Sequence, residues 1–158
     1  MQASVGSGSP AGHAEMDGDM RAPRLAVSAC VWRGDRFLAV ERGKDPNRGL
    51  WSLPGGSVDF GEPLAEAAAR ELREETGVEA DLRHVVDVVE AIRHDDAGRP
   101  SLHYVIVCIA GPWRAGEPVA ADDAADARWL TVDDLRQRPV TRGLISVLEK
   151  ASRLAATD

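Results

Sequence analysis

Three glutamates and an arginine within six consecutive residues are the part of this chain best suited to chemistry. Glu71, Glu74 and Glu75 follow Arg70 in the segment Arg-Glu-Leu-Arg-Glu-Glu. In a helix that turns about 100° per residue, the three carboxylates fall within an arc of roughly 100°. Like charges at this spacing disfavour a helix by about 0.2–0.5 kcal/mol per pair, so a cation among them would relieve the repulsion. Oxygen ligands without a nearby Cys or His indicate Mg²⁺ or Mn²⁺.

Arg70 and two glycines could serve this cluster. Arg70 lies four residues before Glu74, within reach of a charge-assisted hydrogen bond that would orient the carboxylate. Gly55 and Gly56 let backbone N–H groups approach an anion or the helix closely. The alternative is a solvated acidic helix face behind an ordinary loop, and the spacing alone leaves both interpretations open.

The element that must carry these residues is a helix over residues 63–76. Pro63 suits the first helical position, and Gly77 suits a left-handed end after Thr76. An apolar stripe beside the acidic arc predicts one buried edge and one negative edge. The members of this stripe are Ala65, Ala68, Ala69 and Leu72.

The rest of the chain predicts strands and two further helices. Runs rich in β-branched and apolar residues, bounded by Gly, Pro, Asn and Asp, mark the strands. The predicted strands are 24–33, 36–41, 50–53, 79–92, 102–110 and 127–130, with a loop from Asp95 to Pro100. A capping box at Thr131–Asp134 begins a brief helix, and residues 144–154 form an amphipathic helix. The mixture predicts an α/β protein with helices packed on a mixed sheet.

Length and composition limit the class of protein. With 158 residues, 44% of them apolar, the chain suits one domain, which we expect over residues 23–156. A net charge of −7 argues against duplex nucleic acid as a partner. Residues 1–22 hold no sustained apolar run, so we expect a disordered tail, no membrane span and a cytoplasmic protein. Cys30 and Cys108 lie in apolar strands and are expected to be buried thiols.

The segment from Gly56 to Val78 resembles the signature of the Nudix hydrolases. In that signature, glycine is followed after five residues by Glu, and after seven more by Arg-Glu, an apolar residue, any residue, Glu-Glu, any residue, Gly and an apolar residue. The matching positions are Gly56, Glu62, Arg70, Glu71, Leu72, Glu74, Glu75, Gly77 and Val78. The resemblance covers roughly residues 24–150, and it is greatest to the MutT-like and ADP-ribose pyrophosphatase-like subgroup.

The resemblance implies an α/β/α sandwich with a central mixed sheet, and an enzyme that needs Mg²⁺, for which Mn²⁺ can substitute. Such enzymes cleave a nucleoside diphosphate linked to another moiety by attack of water on phosphorus. By this resemblance Glu74 and Glu75 ligate the metal, and Glu71 is a further ligand or helps to activate water. Arg70 would orient a glutamate, and Gly55 belongs to the expected metal site. Dimers are frequent among relatives, so a homodimer is also conceivable.

The signature does not choose the substrate. ADP-ribose or a related nucleotide sugar is the first expectation, and a nucleoside triphosphate removed from the nucleotide pool is the second. A nucleotide-sensing domain without catalysis is a third. The residues around the signature that could contact a substrate are Arg42, Arg48, Phe60, Tyr104, Asp122 and Asp123. For each of these the alternative is an ordinary solvated or core side chain.

Overall fold

The computed structural model describes residues 21–158, which form eight strands and three helices. The strands are β1 (Arg24–Arg33), β2 (Arg36–Arg42), β3 (Trp51–Ser52), β4 (Gly55–Ser57), β5 (Glu79–Ala80), β6 (His84–His94), β7 (Pro100–Ala115) and β8 (Ala124–Thr131). The helices are α1 (Leu64–Thr76), α2 (Val132–Arg136) and α3 (Leu144–Ala155).

Strand β1 organises the sheet. It runs parallel to β7, from Arg24 opposite Tyr104 to Trp32 opposite Pro112. Its other edge pairs antiparallel with β4 through residues 26–28 and with β2 at the hairpin end. The sheet continues from β2 to β3 and β8, and from β7 to β5 and β6. Parallel and antiparallel pairs therefore meet on one strand, which makes the sheet mixed.

Successive residues of β1 face opposite sides of the sheet, and each side is covered by a long helix. The buried cluster beneath α1 includes Val27, Ala29, Val31, Leu38, Ala67, Ala68, Leu72 and Val78. The buried cluster beneath α3 includes Cys30, Trp32, Phe37, Cys108, Leu144, Val147 and Leu148. Helices on both faces of a mixed sheet confirm the predicted α/β/α sandwich. Both cysteines are buried, also as predicted, and burial raises the pKa of each thiol.

Helix α1 differs from the prediction at its start and along its buried edge. Pro63 is the N-cap residue, because its ψ of 145° is extended rather than helical, and the helix begins at Leu64. Gly77 ends the helix with a left-handed φ of 74°, as predicted. Ala65 is exposed and Ala69 is only half-buried, whereas Ala67 is fully buried. The buried face is thus turned toward Ala67 relative to the predicted stripe.

Most strands were predictable, but their ends depend on partners that are distant in sequence. Pro100 begins β7 instead of belonging to the loop, and β7 runs on to Ala115 because it also pairs with β5. The two short strands β4 and β5 were not predicted as separate elements. The capping box is confirmed, since the Thr131 hydroxyl accepts from the Asp134 N–H and the Asp134 carboxylate accepts from the Thr131 N–H.

The expected tail lies largely outside the described residues, which begin at Arg21. Arg21 donates a hydrogen bond to the carbonyl of Pro100 at 3.1 Å, at the start of β7. Across residues 21–158, every helix is too short or too polar to cross a membrane.

Candidate active site

Gly55 and Gly56 bring strand β4 against both β1 and the acidic side of α1. A Cβ added at Gly55 would overlap the carbonyl oxygen of Val27 on β1. A Cβ added at Gly56 would lie 2.5 Å from the Glu71 Oε1 atom. The two glycines therefore allow a close approach that no larger residue permits, and they hold the Glu71 carboxylate between helix and strand.

The guanidinium of Arg70 is the centre of the acidic cluster. Its Nε donates to Glu62 Oε2 at 2.8 Å, and its Nη2 donates to Glu62 Oε1 at 3.0 Å. Its Nη1 donates to Glu71 Oε1 at 2.9 Å and to Glu74 Oε2 at 3.3 Å. The bidentate pair between Arg70 and Glu62 is both strong and directional. Arg70 thus fixes the orientation of two of the three predicted site carboxylates.

Glu62 fixes Arg70 in turn, and it reaches back from the loop before the helix. Its Oε1 accepts from the backbone N–H of Asp59 at 3.1 Å, and its own N–H donates to the Asp59 carbonyl at 3.0 Å. Arg70 also donates to the carbonyl of Ser57 at 3.1 Å. The hydrogen bonds from Arg70, followed by that from Asp59, lower the pKa of Glu62. Glu62 is therefore ionised and ties the loop to the helix.

Two of the carboxylates are costly to ionise in this environment. Burial raises the pKa of Glu71, although Arg70 opposes the shift. Burial, followed by the charge of Glu71, raises the pKa of Glu75 to about 7. The N–H of Gly55 and the charge of Arg42 partly offset this effect. Desolvated carboxylates that repel one another are a donor set that a hard divalent cation would stabilise.

The protein groups alone do not close a coordination shell. Within residues 21–158, no three Asp, Glu, His or Cys side chains are arranged so that they could hold a metal ion. Glu71 and Glu74 instead both accept hydrogen bonds from Nη1 of Arg70. The oxygen chemistry and the raised pKa values fit a cation. Glu71, Glu74 and Glu75 are the side chains that would have to converge on it, and the N–H of Gly55 faces Glu75.

Two of the other predicted site residues lie near this cluster. Arg42, at the end of β2, lowers the pKa of Glu75 through its charge, whereas Asp122 raises it. Asp122 is brought there by the loop before β8, in which the N–H of Ala121 donates to the Glu75 carbonyl at 2.9 Å. This loop packs over the last turn of α1, a contact that the sequence did not reveal.

The remaining predicted residues differ in their surroundings. Asp123 pairs with Lys44 at 2.7 Å, and both side chains are exposed. Arg48 and Phe60 are exposed as well, and Tyr104 is half-buried on β7. Arg48, Phe60 and Tyr104 do not line the cavity that lies beside Gly55 and Gly56. The structure therefore does not bring all six predicted contact residues together.

A cavity of about 390 Å³ lies beside Gly55 and Gly56, between the sheet and the start of α3. The polar and charged residues that line it include Ser28, Arg42, Arg93 and Arg142. Sequence reasoning did not select Ser28 or Arg142 as site residues. A polar residue in the otherwise apolar run of β1 is the signal that could have identified Ser28.

The loss of the hydrogen bonds from the Arg70 guanidinium to Glu62 and Glu71 should destabilise the fold. In Arg70→Lys, an ammonium cannot make the bidentate pair, so Glu62 and Glu71 lose hydrogen bonds while remaining mostly buried. We expect the free energy of unfolding, measured by urea denaturation, to fall by about 1–2 kcal/mol. Arg73→Lys, on the exposed side of the same helix, should change it by less than about 0.5 kcal/mol. Equal losses in the free energy of unfolding of Arg70→Lys and Arg73→Lys would contradict the stabilising role of the Arg70 hydrogen bonds.

The two glycines should respond differently to alanine. In Gly55→Ala the new methyl group meets backbone atoms of Val27 and Ser28, which cannot move without breaking the sheet. We expect a loss of about 3 kcal/mol or more in the free energy of unfolding. In Gly56→Ala only the end of the Glu71 side chain must move, which should cost about 1 kcal/mol. Urea denaturation of both variants measures the two losses in the free energy of unfolding. A larger loss for Gly56→Ala than for Gly55→Ala would contradict the prediction.

Comparisons with known proteins agree with this geometry. A family model described as the NUDIX domain matches residues 22–150. The chain is 31% identical over 114 residues to "ADP-ribose pyrophosphatase" of Methanocaldococcus jannaschii, covering 72% of this chain and 64% of that protein. It is 35% identical over 142 residues to "Putative 8-oxo-dGTP diphosphatase 2" of Mycobacterium tuberculosis, covering 85% of this chain and 94% of that protein.

A solved structure shows the same fold. The MutT NUDIX hydrolase from Burkholderia pseudomallei superposes with a TM-score of 0.71 at 32% identity, covering 82% of this chain and 98% of that one. The family match extends well beyond the segment from Gly56 to Val78 and includes all eight strands, α1 and the first part of α3. The chain therefore belongs to the NUDIX family of hydrolases, as the resemblance of its signature predicted.

Proposed function

We propose that the protein hydrolyses a nucleoside diphosphate linked to another moiety, with Mg²⁺ as the cofactor and Mn²⁺ as a substitute. The observation that carries this proposal is the cluster of Glu71, Glu74 and Glu75, the first two of which are held by Arg70. The cluster lies next to Gly55 and Gly56, which line a cavity large enough for a nucleoside. Membership of the NUDIX family supports a hydrolase of phosphoanhydride bonds.

Each side chain of the site has a physical task in this proposal. Glu74 and Glu75 would hold the metal, with Glu71 as a further ligand, and Arg70 orients the carboxylates of Glu71 and Glu74. Bound Mg²⁺ would neutralise phosphate charge and lower the pKa of water bound to it. Arg42 lines the cavity and its charge also acts on Glu75, so it can stabilise an anionic substrate. The protein thus contributes mainly positioning and electrostatics.

Two substrate classes are supported by different observations. ADP-ribose or a related nucleotide sugar is the first candidate, in keeping with the name of the archaeal relative. A nucleoside triphosphate is the second, because the mycobacterial relative is matched over 94% of its length and is named for such a substrate. In both classes a nucleoside diphosphate carries a further group, so the same carboxylates would serve either reaction.

The products of a substrate panel test the proposal. The purified protein should be incubated with ADP-ribose, other nucleoside diphosphate sugars, and normal and oxidised nucleoside triphosphates, each with Mg²⁺ and with Mn²⁺. Release of a nucleoside monophosphate with a sugar phosphate supports the first class, and release of pyrophosphate supports the second. Binding without turnover of any substrate would indicate a sensing domain and contradict the proposal.

Neutralising either proposed metal ligand should abolish most of the activity. Glu74→Gln and Glu75→Gln keep the size of the side chain but remove its charge. We expect kcat/KM on the best substrate to fall at least about 100-fold, equivalent to about 2.7 kcal/mol. Glu66→Gln, an exposed residue in the first turn of α1, should stay within about twofold of the wild type. Near wild-type turnover of Glu74→Gln or Glu75→Gln would refute the assignment.

Metal binding should strengthen as the pH rises toward 8. Because the pKa of Glu75 is about 7, this carboxyl is mostly protonated at pH 6 and must lose its proton to bind a cation. The affinity for Mn²⁺, measured by calorimetry, should therefore rise by up to about tenfold per pH unit below pH 7 and level off above it. In Glu75→Gln this dependence should be much weaker. A wild-type affinity that is constant between pH 5.5 and 7.5 would contradict the expectation.

A further inference from the structure

The apolar face of the sheet continues beyond the part that α1 covers. Val107 and Ile109 of β7 belong to the buried cluster beneath α1. Val88 and Val85 of β6 lie directly opposite these two residues in the ladder, and opposite residues point to the same side of a sheet. Neither β6 residue belongs to the cluster, so the part of the sheet that α1 covers ends before β6.

An exposed apolar surface, the β6 strip, occupies this uncovered part of the face. Ile92 lies four residues after Val88 in β6 and points to the same side. Leu25 of β1 lies opposite Val105 of β7, and both point to this side as well. The β6 strip consists of Leu25, Val85, Val88, Ile92 and Val105, and all except Val105 are between 44% and 63% exposed. A contiguous exposed apolar patch marks an interaction site on a protein surface.

An acidic and a basic side chain lie within the strip, in contact with each other. Glu90 lies between Val88 and Ile92 on the same side of β6, and its Oε2 is 2.9 Å from Nε2 of His103. A two-fold axis through the strip lets Glu90 of each copy face His103 of the partner subunit. The strip is therefore complementary to itself in charge as well as in apolar character.

The charge of the whole chain favours a second copy as the occupant of the strip. The net charge is −7, so a basic partner would be attracted to the acidic surfaces and not to this apolar one. Two acidic copies repel each other, and apolar contact must outweigh that repulsion. The strip is three strands wide and roughly 24 Å long at about 3.4 Å per residue, which is at the small end for a stable interface. The contact between two copies should therefore be weak.

We propose that the β6 strip is the contact surface of a homodimer in which two copies pack face to face about a two-fold axis. Val88, Glu90 and Ile92 lie at the centre of this contact. The opposite side of the same strand carries Val89 and Ala91, which line the cavity. The partner subunit thus lies behind the wall of the cavity, and dimerisation needs neither metal nor nucleotide.

Sedimentation velocity of the full chain over a concentration series tests the dimer. The sedimentation coefficient should rise from the monomer value toward the dimer value, with a dissociation constant on the order of 100 µM. In ¹H–¹⁵N NMR spectra over the same series, the amide signals of Leu25, Val88 and Ile92 should shift most. A monomer at every concentration up to about 1 mM, or shifts centred outside the strip, would overturn the proposal.

Matched variants locate the contact surface. Val88→Lys and Ile92→Lys each bury an unpaired charge in the dimer, so the dissociation constant should rise at least about tenfold. Val88→Thr keeps the β-branched shape and should raise it about threefold, which guards against a variant that fails to fold. Val119→Lys, at a residue that is 71% exposed and lies outside the strip, should stay within about twofold of the wild type. Unchanged dimerisation in the strip variants, or an equal loss in Val119→Lys, would refute this surface.

Discussion

The fork of hydrogen bonds from Arg70 is the interaction on which the site depends. One guanidinium joins Glu62 from the preceding loop, Glu71 and Glu74 from the helix, and the carbonyl of Ser57. Without it, several carboxylates would repel one another in a region where Glu62 and Glu71 are mostly buried. The same contacts give the acidic cluster its orientation, so the stability and the proposed chemistry of this region have a common origin.

The glycines of β4 connect this cluster to the rest of the molecule. Gly55 allows β4 to lie against β1, and Gly56 allows Glu71 to lie against β4. The cavity involves β1 as well, because Ser28, which pairs with Gly55, is one of its lining residues. One short stretch of sheet therefore sets the distance between the carboxylates on one side and the cavity on the other.

Features encoded by neighbouring residues were predictable from the sequence. The helix, its end at Gly77, the capping box at Thr131 and the acidic arc all arise from spacings of a few residues. Features that need distant partners were not. Arg70 was expected to reach Glu74, yet its shortest hydrogen bond goes to Glu62, eight residues earlier, because the loop folds back onto the helix. The cavity forms where β1, β6, β7 and α3 meet. No pattern of neighbouring residues in the sequence predicts that these four elements meet.

The central claim is that Glu71, Glu74 and Glu75 form a divalent metal site. Paramagnetic Mn²⁺ tests it directly, because the ion broadens the NMR signals of nearby amides. Substoichiometric Mn²⁺ added to the ¹⁵N-labelled protein should first broaden the amide signals of Gly55, Gly56 and residues 71–75, and excess Mg²⁺ should restore them. Broadening centred on another acidic region, such as Asp133 and Glu149 beside Arg136, would contradict the account.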